Sequence, residues 1–256
     1  MEIFVVDAFT DRPFSGNPAG VVLLPEPAEP AWMQSVAAEM KHAETAFVVV
    51  GGDEPLPLRW FTPTTEVDLC GHATLATAHV LGGSVVFSTR SGFLTCEARP
   101  DGWVEMDFPA DRPVPVGATP LLRASLPGTT VVAVAQGGTD LLVEVASAAE
   151  VRALRPDLVL LDDVPGRGVI VTARGDLPGV DVVSRCFYPS FGVPEDPVTG
   201  SAHCTLAAWW APRLGRVSLL GEQASPRGGR VQMTLRDDRV RLAGQGVTVL
   251  RGELTV

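Results

Sequence analysis

Short apolar runs separated by turn residues recur along the whole chain. Runs such as EIFVVDAF near the start and ETAFVVV from Glu44 are rich in β-branched residues and bounded by Pro, Gly or Asn, which predicts short strands. One early segment has a helical period instead, because Trp32, Val36 and Met40 recur every four residues after Pro30, a residue that a first helical turn tolerates. The pattern therefore predicts many short elements, most of them strands.

Two other segments are apolar on almost every face and begin with glycine. They read GHATLATA from residue 71, with Gly82 and Gly83 as a stop, and GSAHCTLAA from residue 200. A helix that is apolar all round must be covered on every side, so each segment predicts a helix enclosed by strands. The two share Thr-Leu-Ala and start about half a chain apart, which favours an internal duplication over a chance match between alanine-rich helices.

These patterns predict an α+β fold of two pseudo-symmetric domains. Each domain is a curved, mostly antiparallel, barrel-like sheet around a central apolar helix, and we place the domains at residues 1–118 and 119–256. The tail contains two alternating strands, which either close the second domain or return to the first. The cleft between the domains is the predicted ligand site.

Composition and charge exclude several classes of function. Thirty acidic against twenty basic residues give a net charge of −10, which repels nucleic acids and anionic lipids, so neither nucleic acid nor membrane is an expected partner. Lys41 is the only lysine, which disfavours pyridoxal chemistry. The absence of a long apolar run and of a basic leader predicts a cytoplasmic protein. The cysteines form no CxxC pair, so neither a disulfide framework nor a zinc ribbon is indicated.

The segments before the two buried helices are the strongest candidates for a binding site. EVDLCGH and FGVPEDPVTGS each lead through a glycine, Gly71 or Gly200, into a helix whose first N–H groups lack partners within the helix. Two such helix ends can hold a carboxylate without a basic patch. Alternatively, Thr199 and Ser201 are simple helix caps and His72 is a first-turn residue.

Glu44 and Asp196 are the candidate acid/base carboxylates. Glu44 directly precedes an apolar strand, where partial burial is expected to raise the pKa of a carboxyl group toward neutrality. Asp196 stands shortly before Gly200, at the mouth of the predicted cleft. With His72 they form a general acid/base set that needs neither metal nor cofactor. The alternatives are an edge carboxylate bound to backbone for Glu44 and a turn-shaping aspartate before proline for Asp196.

Cys70 offers a different chemistry, because a thiol at a helix N-terminus is acidified and can abstract a proton. A cofactor-independent racemase needs two opposed thiols, yet the position before Gly200 is Thr199, and Cys204 lies within the predicted helix. The alternative is a small buried cysteine. His72 and His79 are seven residues apart, which does not match the spacing of zinc proteases, so we predict no metal site.

Four blocks together resemble the PhzF-like family, named for the isomerase of phenazine biosynthesis, whose fold is similar to that of diaminopimelate epimerase. They are VDAFTDRPFSGNPAGVV, HAETAFV, FTPTTEVDLCGHATLATAHVL and GVPEDPVTGSAHCTLA, in family order from residue 5 to about 207. The resemblance implies a sheet around a helix in each domain, a homodimer, an active site between the domains and no cofactor. Asn17 matches a family block without an assigned role.

The resemblance also implies roles for the candidate residues. Glu44 corresponds to the acid/base glutamate and Asp196 to its polar partner, while Gly71 with His72 and Gly200 with Ser201 contact the substrate. The predicted function is an isomerase that moves a proton between carbons of a small carboxylate-bearing substrate. Two alternatives stay open: an amino-acid or hydroxy-acid epimerase that uses Cys70, and a protein that binds a small acid without turnover.

Overall fold

The structure is a computed structural model and describes all 256 residues. Internal contacts divide the chain into two compact units, the first comprising Met1–Asp107 with Ala243–Val256 and the second Phe108–Leu242. The domain bounds inferred from the sequence, 1–118 and 119–256, stay a prediction. None of the helices combines the length and hydrophobicity that crossing a membrane requires.

The first part of the chain alternates strands with two helices. In order, the elements are β1 (Glu2–Ala8), β2 (Asn17–Leu24), α1 (Pro30–Met40), β3 (Glu44–Val49), β4 (Leu56–Phe61), β5 (Glu66–Val67), α2 (Gly71–Leu81), β6 (Ser84–Thr89), β7 (Gly92–Ala98) and β8 (Trp103–Pro109).

The remaining part follows a similar order with more short helices. The elements are β9 (Val114–Val116), α3 (Pro120–Ser125), β10 (Val131–Gln136), β11 (Asp140–Val145), α4 (Ala148–Ala153), α5 (Leu158–Asp162), β12 (Gly168–Arg174), β13 (Val182–Tyr188), a 3-10 turn (Pro189–Phe191), β14 (Val193–Asp196), α6 (Gly200–Leu214), β15 (Ser218–Gln223), β16 (Gly229–Arg236) and β17 (Arg239–Glu253).

The sheet of the first unit closes around α2. β1 pairs antiparallel with β2, β2 pairs parallel with β3, and the order continues through β4, β6, β7 and β8. β17 pairs with both β1 and β8, which completes the ring. α2 packs against β1, β2, β3, β6 and β7, and every residue from His72 to Ala78 is buried. The predicted helix inside a barrel-like sheet is therefore confirmed.

α1 covers the outer face of the same sheet. Its buried residues are Met33, Val36 and Ala37, which pack against a cluster that includes Phe47 and Phe61. The predicted face through Trp32 and Met40 is only half-buried. A stripe that follows three- and four-residue steps stays on one face of an α-helix, whereas steps of four alone drift around it.

The second unit repeats the order of strand pairing. In both units an antiparallel strand pair comes first, and its second strand pairs in parallel with the strand that follows the next helix or helices. That strand begins a second antiparallel pair, and a short hairpin strand then precedes the buried helix. The strand after the buried helix pairs in parallel with the second antiparallel pair, β15 with β13 and β6 with β4. α6 packs against β15 and β16, and its Trp209 and Trp210 bond to Glu144 and Thr172 of the facing strands. The pseudo-symmetric architecture is confirmed.

Close packing around α2 leads to a prediction for β17. A Cβ atom on Gly244 would lie 2.3 Å from a ring carbon of Phe9 and 2.8 Å from a methyl carbon of Leu75. We expect Gly244→Ala to lower the free energy of unfolding by about 1–3 kcal/mol, the usual cost of overpacking a core. Gly252→Ala in the same strand is the matched control, because its nearest contacts are at 3.7 Å. Equal midpoints in urea denaturation of the two variants would contradict the packing described.

Candidate functional site

The first group of site residues surrounds the start of α2. Glu44 is the first residue of β3, Cys70 is the N-cap of α2, and His72 follows in the first turn. The His72 ring lies between the other two side chains, with Nε2 3.3 Å from a Glu44 carboxylate oxygen and Nδ1 3.4 Å from the Cys70 sulfur. The Thr74 hydroxyl donates to the Cys70 carbonyl at 2.6 Å, which fixes the start of the helix.

Burial determines the charge of His72. Its side chain is 8% exposed and that of Glu44 is 20% exposed. Loss of solvent lowers the pKa of His72 to about 4, and the positive form of nearby His42 adds to this effect. A neutral imidazole carries one hydrogen on one nitrogen, so it can donate to one neighbour and accept from the other. In the structure Nδ1 bonds to the Cys70 thiol, whereas Nε2 lies beside the Glu44 carboxylate without forming a hydrogen bond.

The same three residues bring together an oxygen, a sulfur and a nitrogen donor. Their ligand atoms all lie within 4.8 Å of one another, a spacing that could hold a metal ion such as zinc. The close contacts, however, use both ring nitrogens of His72, whereas one metal ion binds a single nitrogen. The arrangement suits acid/base chemistry better than coordination.

The second group lies before and within the first turn of α6. Asp196 ends β14, and one of its carboxylate oxygens accepts a hydrogen bond from the Thr199 hydroxyl at 2.5 Å. Gln223 of β15 is fully buried and makes three hydrogen bonds to the same loop. Its side-chain oxygen accepts from the Thr199 amide at 2.9 Å, and its nitrogen donates to the Asp196 carbonyl at 2.7 Å and to the Thr199 hydroxyl at 3.2 Å. These bonds fix the loop that precedes Gly200.

Neither Thr199 nor Ser201 acts as a conventional helix cap. Thr199 occupies the N-cap position, but its hydroxyl makes no capping bond: it donates to Asp196 at 2.5 Å and accepts from the Gln223 side-chain nitrogen at 3.2 Å. The exposed Ser201 hydroxyl accepts from Arg167 at 2.9 Å. Ser201 thus belongs to a side-chain network. Gln223 and Arg167 could not be predicted from the sequence, since each stands in a strand or turn without a motif.

The structure places the remaining candidates as follows. Gly71 and Gly200 are the first residues of α2 and α6. Cys204 lies in the middle of α6 and is buried, and Asn17 is buried at the start of β2. The structure thus groups Glu44, Cys70, Gly71 and His72 in the first unit. It groups Asp196, Thr199, Gly200 and Ser201 in the second, and their action on one ligand stays a prediction.

Two sheets, each wrapped around an apolar helix that starts at polar side chains, define the epimerase-like fold class. A hydroxyproline epimerase from Agrobacterium vitis has a similar fold, with a TM-score of 0.61 at 13% identity over 98% of this chain and 91% of that one. At this identity the likeness shows the fold alone.

The family is shown by closer matches. The model of the phenazine biosynthesis-like protein family (PhzC-PhzF) matches residues 6–252. The chain is 46% identical to a protein named an uncharacterized isomerase from Halalkalibacterium halodurans, over 98% of this chain and 97% of the relative. A PhzF-family phenazine biosynthesis protein from Enterococcus faecalis has a TM-score of 0.95 at 38% identity, covering 100% of this chain and 99% of its own.

The chain therefore belongs to the phenazine biosynthesis-like family, as its four sequence blocks predict. A second relative, from Pseudomonas aeruginosa, is 48% identical over 99% of this chain and 98% of its own length, and it too is named an isomerase. Because these relatives are named isomerases, the chain is assigned to the isomerase class of enzymes.

The depressed pKa of His72 leads to a prediction about acid. In the unfolded chain a histidine binds a proton near pH 6.5, whereas folded His72, and likewise buried His203, binds one only near pH 4. Between these values the unfolded state binds more protons, so the free energy of unfolding falls as pH decreases from about 6.5 to 4. We expect a loss of up to about 2 kcal/mol per histidine at pH 5.

Ring-proton NMR titration checks this directly, with the His72 signal assigned by its absence in His72→Gln. A His72 signal that titrates near pH 6.5 would show that the ring is not desolvated in the folded protein.

Proposed function

We propose that the protein is a cofactor-independent isomerase in which Glu44 moves a proton between two carbons of a small carboxylate-bearing substrate. The observation that carries the proposal is the contact of the Glu44 carboxylate with a buried, neutral His72 at the start of α2. Membership of a family whose members are named isomerases supports the reaction type.

The reaction needs one base that becomes one acid. The Glu44 carboxylate removes a proton from a carbon next to a carbonyl or a double bond, and the electron pair of that C–H bond is delocalised into the unsaturated system. The protonated Glu44 then returns the proton to another carbon on the same face of the substrate, which restores the carboxylate. His72 orients Glu44 and can accept a hydrogen bond from its protonated form. The N–H groups at the start of α2, beginning at Gly71, stabilise the developing negative charge.

In this proposal the second unit holds the substrate. Gly200 and Ser201 donate to its carboxylate through the first turn of α6, and Asp196 contacts a hydroxyl or amine of the substrate. The Thr199 hydroxyl already binds one carboxylate oxygen of Asp196, so it orients that group. A homodimer, a cytoplasmic location and the absence of a cofactor remain predictions from the family resemblance.

Replacing Glu44 by glutamine tests the catalytic assignment. Glu44→Gln keeps the shape of the side chain and removes its basicity, so we expect a loss of about 10²- to 10⁴-fold in turnover, the usual contribution of a general base. Small carboxylic acids are first screened by thermal shift, and those that bind are then assayed for uptake of deuterium from heavy water by NMR.

Glu39→Gln is the matched control, because it makes the same change at an exposed glutamate of α1. Full exchange by Glu44→Gln would refute the proposed base. Acids that bind the wild-type protein without any exchange would instead support the alternative of a binding protein without turnover.

The thiol distinguishes the isomerase from an epimerase. Cys70 contacts His72 but has no second thiol before Gly200, where Thr199 stands. We expect Cys70→Ser to keep most of the exchange activity, within about tenfold, because the serine hydroxyl can still bond to the His72 ring. Loss of activity in Cys70→Ser as complete as in Glu44→Gln would favour thiol-based epimerisation. The comparison uses initial rates on the same acid.

A further inference from the structure

Arg167 reaches the first turn of α6 from the turn before β12. Its guanidinium donates to both carboxylate oxygens of Asp140, from Nε at 2.8 Å and from Nη2 at 2.6 Å. Nη2 also donates to the Ser201 hydroxyl oxygen at 2.9 Å. The side chain of Asp140 is 3% exposed, whereas that of Arg167 is 35% exposed. The pair thus has a buried anion beneath a cation that reaches the surface.

The surrounding backbone fixes this pair. Asp140 is the first residue of β11 and lies opposite Gly168, which starts the parallel strand β12 directly after Arg167. A Cβ atom on Gly168 would lie 2.1 Å from the ring of Tyr188, so only glycine admits that ring. The Tyr188 hydroxyl donates to Asp140 at 3.3 Å, and the Arg167 guanidinium lies 5.2 Å from the Tyr188 ring centre. The guanidinium is therefore held by the Asp140 carboxylate and by the Tyr188 ring.

This geometry determines which groups can still bind a ligand. Ser201 accepts a hydrogen bond from Arg167, so the hydrogen of its hydroxyl is free to be donated elsewhere. The Nη1 group of Arg167 makes no hydrogen bond within the protein, although the side chain is partly exposed. Both groups are donors, and one belongs to a cation. An anionic ligand group satisfies both, whereas a neutral amide satisfies them less well.

We propose that Arg167, anchored by Asp140, is a specificity-determining residue: it positions the Ser201 hydroxyl as a donor and supplies the positive charge that selects acidic over neutral substrates. This inference rests on the proposed function, which assigns Ser201 to the substrate carboxylate.

The test compares a carboxylate with its uncharged amide, using benzoate and benzamide as probes. Each is titrated into the full-length protein, and the affinity is read from the amide NMR signals of Gly200 and Ser201. We expect Arg167→Met to weaken benzoate binding at least tenfold and to change benzamide binding less than twofold, because only the anion uses the lost charge. Arg152→Met is the matched control, since Arg152 is another ion-paired arginine of this unit, bonded to Asp176 and Glu222.

Loss of Arg167 leaves the buried Asp140 carboxylate unpaired, which can destabilise the fold. The double variant Asp140→Asn with Arg167→Met removes both charges and keeps the hydrogen-bonding partner of Tyr188, so it is titrated in parallel. The variant Ser201→Ala should lose part of the same benzoate affinity, and combining it with Arg167→Met should cost less than the sum of the two, because the residues act through one contact.

Equal benzoate affinity in wild type and the double variant, or parallel losses for benzoate and benzamide, would overturn the inference. Signals of Gly200 and Ser201 that do not respond to benzoate in the wild-type protein would overturn it as well. These outcomes are independent of the proton-transfer step. Glu44→Gln tests that step by deuterium exchange, so the two proposals can fail separately.

Discussion

The arrangement of the site depends on the burial of an apolar helix inside each sheet. α2 is buried from His72 to Ala78, and α6 is buried over most of its length. Such a helix cannot shift without exposing apolar surface on one side or creating a cavity on the other. The residues at its start are consequently held in place by the whole core. A catalytic group benefits from this rigidity, because small displacements of reacting groups reduce rates strongly.

Burial also determines what the two helix histidines can do. It lowers the pKa of both His72 and His203 to about 4, so both are neutral at pH 7. His203 has its ring nitrogen Nδ1 2.7 Å from the carbonyl oxygen of Thr199 in its own helix, which makes it a structural residue. His72 contacts the thiol of Cys70 at the N-cap of its own helix and the carboxylate of Glu44 from β3. The two histidines are thus equally buried but have different roles, because different groups surround their rings.

Local sequence patterns predicted those parts of the molecule that are formed by residues close together in the sequence. The strands around Glu44 and the glycine-led helices at Gly71 and Gly200 follow from residue periodicity, and the family blocks cover the same positions. The contact between Arg167 and Asp140 could not be found in this way, because it joins residues 27 positions apart that share no motif. The contact between Gln223 and the loop before α6 could not be predicted either, since it depends on the parallel register of β13 and β15.

The repeated topology makes the difference between the two helix starts informative. α2 begins beside a neutral imidazole, a thiol and a carboxylate, three groups that can each bind or release a proton. α6 begins beside an arginine, a serine hydroxyl and an aspartate, and there the protein supplies charge and hydrogen-bond donors. Each unit of the repeat thus has a helix start of the same geometry but different side chains. A symmetric racemase needs equivalent acid/base groups at both helices, and Thr199 in the position equivalent to Cys70 does not provide one. The two helix starts therefore offer different chemical groups, which disfavours a symmetric racemase.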